Sequence, residues 1–328
     1  MKIVDGHYDI LQDVRKKRLR GAKEVLKTDY YARFLDASVQ AIICSIFIDT
    51  SDIPSAVQHA LEQVESLKQE VEENPDLFCL VTNKADLQHA VSKQKIAFLL
   101  NFEGAEPLLS LQLLHTFYRL GVRGLGLAWS RRNLAADGCD FTGSLKKGGL
   151  TKYGIELVQE AQKLSMFIDI SHLSDEGVYD VLQYCPHGVI ASHSNARAIA
   201  ANNRNLTDEF IQEIAKRDGM IGLNGCSIIA ATNNQEATPD QLVKHLKYLI
   251  ELAGENHVGF GFDFCDQLFP KDPKATTGPH SSFDIVKDYE AIPSFIHLLA
   301  ESGFTPEILE KISHANWINF LEKQLPEA

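Results

Sequence analysis

The chain has 328 residues, of which 45% are hydrophobic and 23% are charged, a balance typical of a folded globular protein with one large domain or two small ones. Its 32 basic and 44 acidic residues give a formal net charge of −12, which argues against nucleic acid or an anionic membrane as the main partner. Because no apolar run approaches a membrane span, strand-like sequence begins at Lys2 and no lipid-anchor signal follows, we expect a cytoplasmic location.

Short apolar or β-branched runs recur along the chain and predict eight strands, at 2–9, 39–48, 95–102, 122–129, 167–172, 188–193, 219–225 and 257–263. Segments with helical spacing of apolar residues lie between them, at 54–73, 107–120, 151–164, 174–184, 207–217 and 239–253. Strands that alternate with helices indicate a parallel sheet with helical crossovers.

Eight such units favour a closed (β/α)8 TIM barrel over an open doubly wound sheet, which usually has fewer strands and a glycine-rich nucleotide turn. No linker or repeat divides the chain, so we expect a single barrel domain over 1–328, with two or three helices in 291–324 packed on its outside. Segments 202–205 and 268–282 are predicted to form long loops at the top of the barrel.

The first predicted strand ends in a histidine and a carboxylate two residues apart, His7 and Asp9. Residues i and i+2 of a strand point to the same face, so these side chains can converge on one point. A simple hydrogen bond between them would explain one isolated pair. Further residues of the same kind, however, end other predicted strands: Glu103 ends the third, His172 the fifth, His193 the sixth and Asp263 the eighth.

These residues are predicted to meet, because a TIM barrel places its catalytic groups at the C-terminal ends of its strands. Each one alone could be a capping carboxylate or a buried histidine with an ordinary partner. Together they would be costly to desolvate unless something binds them, and two metal ions do so well. The six cysteines are scattered without a C-x-x-C pair, and we assign none of them to a metal.

Two divalent ions suit this set of side chains. His7 and Asp9 can hold one ion, His172 and His193 can hold the other, and Glu103 has two oxygens with which to bridge them. Imidazole and carboxylate ligands favour zinc or a similar metal and leave a position for a shared hydroxide. Hydrolysis is the chemistry that such a pair supports.

Two further residues are candidates for roles beside the metals. Asp263, which is not needed as a ligand, can take a proton from the attacking hydroxide and deliver it to a leaving amine. Arg204, in the loop after the sixth strand, can form a forked contact with a substrate carboxylate. A loop-capping aspartate and a solvated loop arginine are the alternative interpretations.

Several motifs along the chain resemble those of the membrane dipeptidase (renal dipeptidase) family of two-zinc peptidases. The resemblance is collinear from Asp5-Gly6-His7 to about Phe264. Its landmarks are Glu103-Gly104, Gly121-Val122-Arg123-Gly124, Gly149-Leu150-Thr151, Ile168-Asp169-Ile170-Ser171-His172, Ser192-His193-Ser194, Arg204-Asn205-Leu206 and Gly259-Phe260-Gly261-Phe262-Asp263.

The resemblance implies hydrolysis of dipeptides, with tolerance of a D-residue at the C-terminal position, by a zinc pair. It implies the metal ligands His7, Asp9, Glu103, His172 and His193. It also places the substrate-carboxylate arginine at Arg204 and the catalytic aspartate at Asp263. Family members are often homodimers, so a homodimer is a further expectation, although no interface is evident in the sequence.

The chain departs from the family at Trp129, which stands where animal members carry a histidine that is thought to stabilise the tetrahedral intermediate. An indole N–H can only donate a hydrogen bond, so Trp129 is expected to line the substrate site. Oxyanion stabilisation would then fall on the metals or on Arg131, Arg132 or Asn133. Tyr8 also differs from the asparagine that is common there, and it is interpreted as packing.

Two alternatives stay open. One is another amide or ester hydrolase of the metal-dependent barrel superfamily. Many of those enzymes use a lysine carbamate from the fourth strand, and the predicted strand end at 126–129 contains no lysine. The other is a non-catalytic protein that keeps the pocket, which only the substitution at Trp129 suggests.

Overall fold

A computed structural model describes residues 1–140, 148–265 and 282–327. Nine strands lie in this part of the chain: β1 Ile3–Tyr8, β2 Val39–Phe47, β3 Phe78–Leu80, β4 Ile96–Glu103, β5 Val122–Gly126, β6 Phe167–Asp169, β7 Val189–Ala191, β8 Met220–Leu223 and β9 Val258–Phe260. Every strand pairing is parallel.

Eight of the strands form a closed parallel barrel, which confirms the predicted (β/α)8 fold. Around the barrel they follow the order β2, β1, β9, β8, β7, β6, β5 and β4. The pairing of β2 with β4, in register from Ala41↔Ala97 to Phe47↔Glu103, closes it. The remaining strand, β3, pairs only with the start of β4. Strand β3 was not predicted, because three residues are too few to show a period.

Thirteen α-helices lie in the described residues: α1 Ile10–Leu19, α2 Tyr31–Asp36, α3 Ala56–Glu73, α4 Lys84–Ser92, α5 Leu111–Leu120, α6 Lys152–Lys163, α7 Asp175–Tyr184, α8 Asp208–Lys216, α9 Ser227–Ala230, α10 Pro239–Ala253, α11 Ile292–Glu301, α12 Pro306–Glu310 and α13 Asn316–Gln324. Short 3-10 turns at Thr50–Ser55 and Tyr289–Ala291 and π-helical turns at Leu26–Tyr30 and Lys311–Ala315 accompany them. None of the helices in these ranges is long and apolar enough to cross a membrane.

Side-chain caps determine where several of these helices begin. The predicted helix at 107–120, for example, begins only at Leu111, because the Ser110 hydroxyl accepts a hydrogen bond from the Leu113 backbone N–H. The predicted strands at 122–129, 167–172 and 188–193 are likewise shorter in the structure, so Trp129, His172 and His193 lie just beyond strand ends. Of the predicted loop at 268–282, all but Ser282 lies outside the described residues.

The C-terminal helices do not all pack where they were predicted to. Helix α11 packs against α10. Helix α13 instead covers the N-terminal end of the barrel, where its fully buried Trp317 packs in a cluster with inward-facing strand residues such as Val4 and Phe167. A Cβ on Gly6 would lie 2.4 Å from the Trp317 ring, so the glycine makes room for the indole. Without α13, the apolar side chains at this end of the barrel would be exposed to solvent.

We predict that Trp317→Ala lowers the free energy of unfolding by about 3–5 kcal/mol, the usual cost of deleting a buried aromatic side chain. The indole N–H also donates a hydrogen bond of 2.9 Å to the Phe260 carbonyl, which the variant leaves unpaired. Urea denaturation followed by circular dichroism measures the loss. A variant of the exposed Leu19 on α1, Leu19→Ala, serves as the control and should unfold near the wild-type midpoint.

Candidate active site

A cavity of about 570 Å³ opens at the C-terminal ends of the barrel strands, where the strand-to-helix connections converge. Its size suits a small ligand. The cavity wall includes six of the eight predicted site residues, namely Asp9, Glu103, Trp129, His172, Arg204 and Asp263. The other two, His7 and His193, are fully buried next to Glu103. The structure therefore brings all eight together.

Glu103 lies between two groups of ligand-type side chains, one with the imidazole of His7 and one with those of His172 and His193. Its Oε1 is 3.0 Å from His172 Nε2 and 3.5 Å from His193 Nε2. Its Oε2 is 3.6 Å from His7 Nε2 and 3.0 Å from Ser45 Oγ, whose hydroxyl also contacts Asp9 Oδ1. Because Glu103 is the last residue of β4, both carboxylate oxygens project into the barrel mouth. Each oxygen faces a different group of ligand-type atoms.

His7 and Asp9 form the first of these groups together with Glu103. The His7 Nε2 atom is 3.7 Å from Asp9 Oδ1 and 3.9 Å from Asp263 Oδ1. These separations are too long for hydrogen bonds, and among the described residues this buried nitrogen has no hydrogen-bond partner. A buried nitrogen that faces several carboxylate oxygens across such gaps is suited to a cation between them.

His172 and His193 form the second group together with Glu103. Their Nε2 atoms are 2.9 Å apart. His172 follows β6 in the left-handed backbone region, with φ of 70°, a conformation that is uncommon for residues other than glycine and often marks functional sites. On the far side of each ring, Nδ1 lies 2.7 Å from a serine hydroxyl, Ser130 for His172 and Ser192 for His193. Both rings therefore present Nε2 to Glu103.

The charges of the two groups call for a cation. Burial alone would lower the pKa of His7. The surrounding carboxylates, Glu103 foremost, instead raise this pKa to about 10. Burial raises the pKa of the Asp9 carboxyl well above its usual range. By contrast, burial lowers the pKa of His172 to about 4 and that of His193 well below its usual value. Neutral imidazoles beside buried carboxylates fit divalent metal ions.

Asp263 lies at the edge of the first group. It follows β9 with a φ of 58°, and this left-handed turn directs its carboxylate into the cavity. Asn224 Nδ2 donates a hydrogen bond of 3.0 Å to Asp263 Oδ2. Burial raises the pKa of the carboxyl. Cys265, which was assigned to no metal, lies near by, with its Sγ 3.6 Å from Asp263 Oδ1.

Arg204 supplies the one Lys or Arg side chain among the described residues of the cavity wall. Its guanidinium donates hydrogen bonds of 2.7 Å to Ser194 Oγ and 2.8 Å to the His193 carbonyl, so it is held in place and largely buried. The Arg204 loop follows β7, which lies four strands from β2 in either direction around the barrel. Arg204 therefore lies across the mouth from Phe47 at the end of β2.

Trp129 forms an aromatic wall of the cavity. Its ring centroid is 5.2 Å from that of Phe47 and 5.9 Å from that of His172. The guanidinium carbon of Arg131 lies 5.1 Å from the same ring, on which it makes a cation–π contact. The indole is therefore fixed between neighbours and presents an apolar surface beside the imidazole of His172.

The three residues proposed to replace the missing histidine point elsewhere, which corrects that expectation. Arg131 donates to the carboxylate of Glu106, Arg132 forms an ion pair with Asp137, and Asn133 donates to a backbone carbonyl. None of the three is among the described residues that line the cavity. Their donors are already engaged by these partners, and for Arg131 also by the Ile48 carbonyl at 2.8 Å.

Several polar side chains that hold the site residues in place were not predicted, among them Ser45, Asp169, Ser192 and Asn224. Ser192 and Asp169 were named only as parts of longer motifs, with no role of their own. Their contacts join different strands, for example β6 to β7, and a single serine or asparagine on a strand carries no spacing signal. Only the closed barrel brings them to the metal-ligand candidates.

A closed parallel barrel with imidazoles and carboxylates gathered at the C-terminal ends of its strands defines a metal-dependent hydrolase fold. The chain belongs to the membrane dipeptidase family, Peptidase family M19, whose family model matches residues 1–324. Membership identifies it as a metallopeptidase of the dipeptidase type, which uses a divalent metal.

Relatives by sequence agree with this assignment. The chain is 31% identical over 268 residues to an uncharacterized protein in the pqqA 5′ region of Klebsiella pneumoniae, a match that covers 80% of this chain and 94% of the relative. It is 25% identical over 333 residues to dipeptidase tcpJ of Claviceps purpurea, which covers 98% of this chain and 75% of that one.

Solved structures share the fold over the whole length. The dipeptidase AC, a metallopeptidase of family M19, superposes with a TM-score of 0.85 at 25% identity, over 99% of both chains. A metallopeptidase from Rhodobacter sphaeroides, liganded with a phosphinate mimic of the dipeptide L-Ala-D-Ala, also has a TM-score of 0.85, at 24% identity over 99% of both chains.

Proposed function

We propose that this chain hydrolyses dipeptides at a pair of divalent metal ions, and that these ions are Zn²⁺. One observation carries the proposal: the two carboxylate oxygens of Glu103 face two separate groups of ligand-type atoms, 3.0 Å from His172 Nε2 on one side and 3.6 Å from His7 Nε2 on the other. The proposed ligands are His7, Asp9, Glu103, His172 and His193.

The metal pair would supply a nucleophile at neutral pH and polarise the scissile carbonyl. Asp263 takes the proton of the attacking water at its carboxylate and gives it to the nitrogen of the leaving amine, which keeps the proton count balanced. The hydrogen bond from Asn224 to Asp263 Oδ2 leaves Oδ1 facing the His7 side of the cavity, where the reaction would occur.

Arg204 binds the C-terminal carboxylate of the substrate in this proposal, because it supplies the cationic side chain of the described cavity wall. The N-terminal residue then lies across the mouth, towards the aromatic wall of Phe47 and Trp129. Trp129 acts there as a substrate-binding surface and not as a replacement for the family's histidine. We propose that the site also tolerates a D-residue at the C-terminal position.

We predict that Arg204→Gln lowers kcat/KM for dipeptides about 10- to 100-fold, mainly through KM, since a hydrogen bond to a charged group contributes about 1.5–3 kcal/mol. A C-terminally amidated dipeptide should lose much less, because it has no carboxylate for the arginine. The control is Arg197→Gln, in the same loop region, whose guanidinium pairs with Asp175. Equal losses on the acid and the amide would contradict the assigned role.

A panel of L-X-D-Y and L-X-L-Y dipeptides, assayed with added zinc, tests the proposed function. Hydrolysis of dipeptides supports it. If the protein binds two metals but cleaves none of the panel, another amide or ester hydrolysis, or a non-catalytic pocket, becomes the better interpretation. Hydrolysis of esters or lactones, assayed beside the dipeptides, distinguishes another hydrolase from a non-catalytic pocket.

The remaining expectations from the sequence stay predictions: a single domain over 1–328, a cytoplasmic location and a homodimer. Cell fractionation tests the location, and analytical ultracentrifugation of the purified protein tests the dimer. Limited proteolysis tests the domain organisation, because a single barrel domain should resist cleavage into two stable fragments.

A further inference from the structure

Asp169, at the end of β6, is a buried carboxylate that lies behind the imidazoles of the site. Its Oδ1 accepts hydrogen bonds from the backbone N–H groups of Ser171, at 3.1 Å, and Ser192, at 3.0 Å. Its Oδ2 accepts one of 3.0 Å from Asn101 Nδ2 and one of 2.5 Å from Ser192 Oγ. A carboxylate has about four acceptor positions, and these four donors fill them. Asp169 is therefore rigidly held and has no acceptor left for a metal ion.

The Asp169 carboxylate determines the direction of the hydrogen bonds around Ser192. Because an ionised carboxylate can only accept, the single proton of Ser192 Oγ must be donated to Asp169. The 2.7 Å contact between Ser192 Oγ and His193 Nδ1 must then run the other way, with Nδ1–H as donor. The Nε2 atom of a neutral His193 is left with a lone pair, which points towards Glu103.

The same hydroxyl also faces His7, whose Nδ1 lies 3.4 Å from Ser192 Oγ. The second lone pair of the oxygen can accept from this Nδ1–H. The rings of His7 and His193 are stacked, with centroids 3.6 Å apart. One serine is therefore placed to orient one imidazole in each of the two ligand groups.

Close packing holds Ser192 where it can do so. A Cβ on Gly222 of β8 would lie 1.9 Å from the Ser192 carbonyl oxygen, and a Cβ on Gly261 just after β9 would lie 1.8 Å from it. Only glycine at these two positions lets the backbone of Ser192 approach so closely. The serine, like Asp169, is fully enclosed and has little freedom to move.

We infer that Asp169 and Ser192 are positioning residues that hold His193 with Nδ1 protonated and Nε2 free to bind metal, and that orient the ring of His7 beside it. This inference rests on the proposed metal site. The other imidazole, His172, is held differently, because its Ser130 partner contacts Cys139 Sγ at 3.5 Å and not a carboxylate. Asp169 thus acts through Ser192 and does not touch the metals or the substrate.

Zinc affinity of the metal-free protein, measured by competition with a chromophoric chelator, tests the inference. Ser192→Ala and Asp169→Asn should each weaken zinc binding about 10- to 100-fold, the usual effect of losing a residue that orients a metal ligand. The control is Ser66→Ala, the same change at a buried serine of α3 whose hydroxyl donates a hydrogen bond of 2.7 Å to the Glu62 carbonyl. It should bind zinc with an affinity near that of the wild type. Circular dichroism confirms that each variant is folded.

A second readout concerns the tautomer directly. Long-range ¹H–¹⁵N spectra of the metal-free wild type should show His193 as the Nδ1–H tautomer, and this signature should be lost in Ser192→Ala. Wild-type zinc affinity in Ser192→Ala, or an Nε2–H tautomer of His193 in the wild type, would overturn the inference. If instead the wild type itself binds no zinc, the proposed metal site fails first, so the two failures are distinguishable.

Discussion

Replacing Glu103 with glutamine is expected to lower kcat/KM for dipeptides by at least about 10³-fold, which corresponds to about 4 kcal/mol of lost transition-state stabilisation. The variant should also lose at least one of the two metal ions. Glutamine has nearly the same shape as glutamate, but it offers a neutral amide nitrogen where the site needs a second anionic oxygen. Metal analysis of the purified variant beside steady-state kinetics measures both effects.

The physical reason lies in the position of Glu103 between the two ligand groups. An amide N–H in place of Oε1 would point at the nitrogens of His172 and His193, and one in place of Oε2 would point at His7. Either orientation removes a ligand from one group and reduces the negative charge that two divalent cations require. The loss should therefore affect metal binding and catalysis together.

A matched control for this variant is Glu106→Gln. Glu106 lies three residues after Glu103 and is also largely buried, but its carboxylate pairs with Arg131 Nε at 3.0 Å and does not face an imidazole. We expect Glu106→Gln to keep both metals. If Glu103→Gln kept two metals and full activity, the bridging role would be wrong.

The second large effect is expected at Asp263. Asp263→Asn should lower kcat by about 10²- to 10⁴-fold, the contribution of a positioned general acid or base, while both metals remain bound. Asparagine can still accept the hydrogen bond from Asn224, but it cannot take up and release a proton. Single-turnover kinetics with metal-loaded enzyme separate this loss from any change in substrate binding.

Asp49→Asn provides the comparison for Asp263→Asn. Asp49 is another carboxylate of the cavity wall, but it is exposed, and its Oδ1 is engaged with the Ser51 backbone N–H at 3.0 Å. The Asp49→Asn variant should therefore have a kcat close to that of the wild type. A variant of Asp263 that keeps wild-type kcat, or one that loses its metals, would show that Asp263 does not transfer the proton in the way proposed.

The fold and the metal-ligand candidates could be predicted because each depends on a repeated local signal. Eight apolar runs alternating with helices favour a barrel, and the barrel rule then brings His7 and His193 to one end although 186 positions separate their residue numbers. The predicted positions of the strand ends were less accurate. His172 and Asp263 lie beyond β6 and β9 in left-handed turns, and the enrichment of histidine and aspartate at positive φ is too weak to predict such a turn from the sequence.

The residues that support the ligands could not be predicted, because their function depends on contacts between strands. Ser192 is one of many serines in the sequence, and only the structure shows its hydroxyl between Asp169 and two imidazoles. The same holds for Trp317. The helices within 291–324 were expected on the outside of the barrel, but Trp317 of α13 closes its floor. Its role depends on the space left by Gly6 and Gly259, which no spacing pattern reveals.

The central claim is that two metal ions at Glu103 drive the hydrolysis of dipeptides. Titration of the metal-free protein with zinc, followed by hydrolysis of L-Ala-D-Ala at each addition, tests this claim most directly. We expect activity to rise and reach its plateau at two equivalents of zinc per chain. Full activity without metal, or a plateau at one equivalent, would contradict the two-metal site.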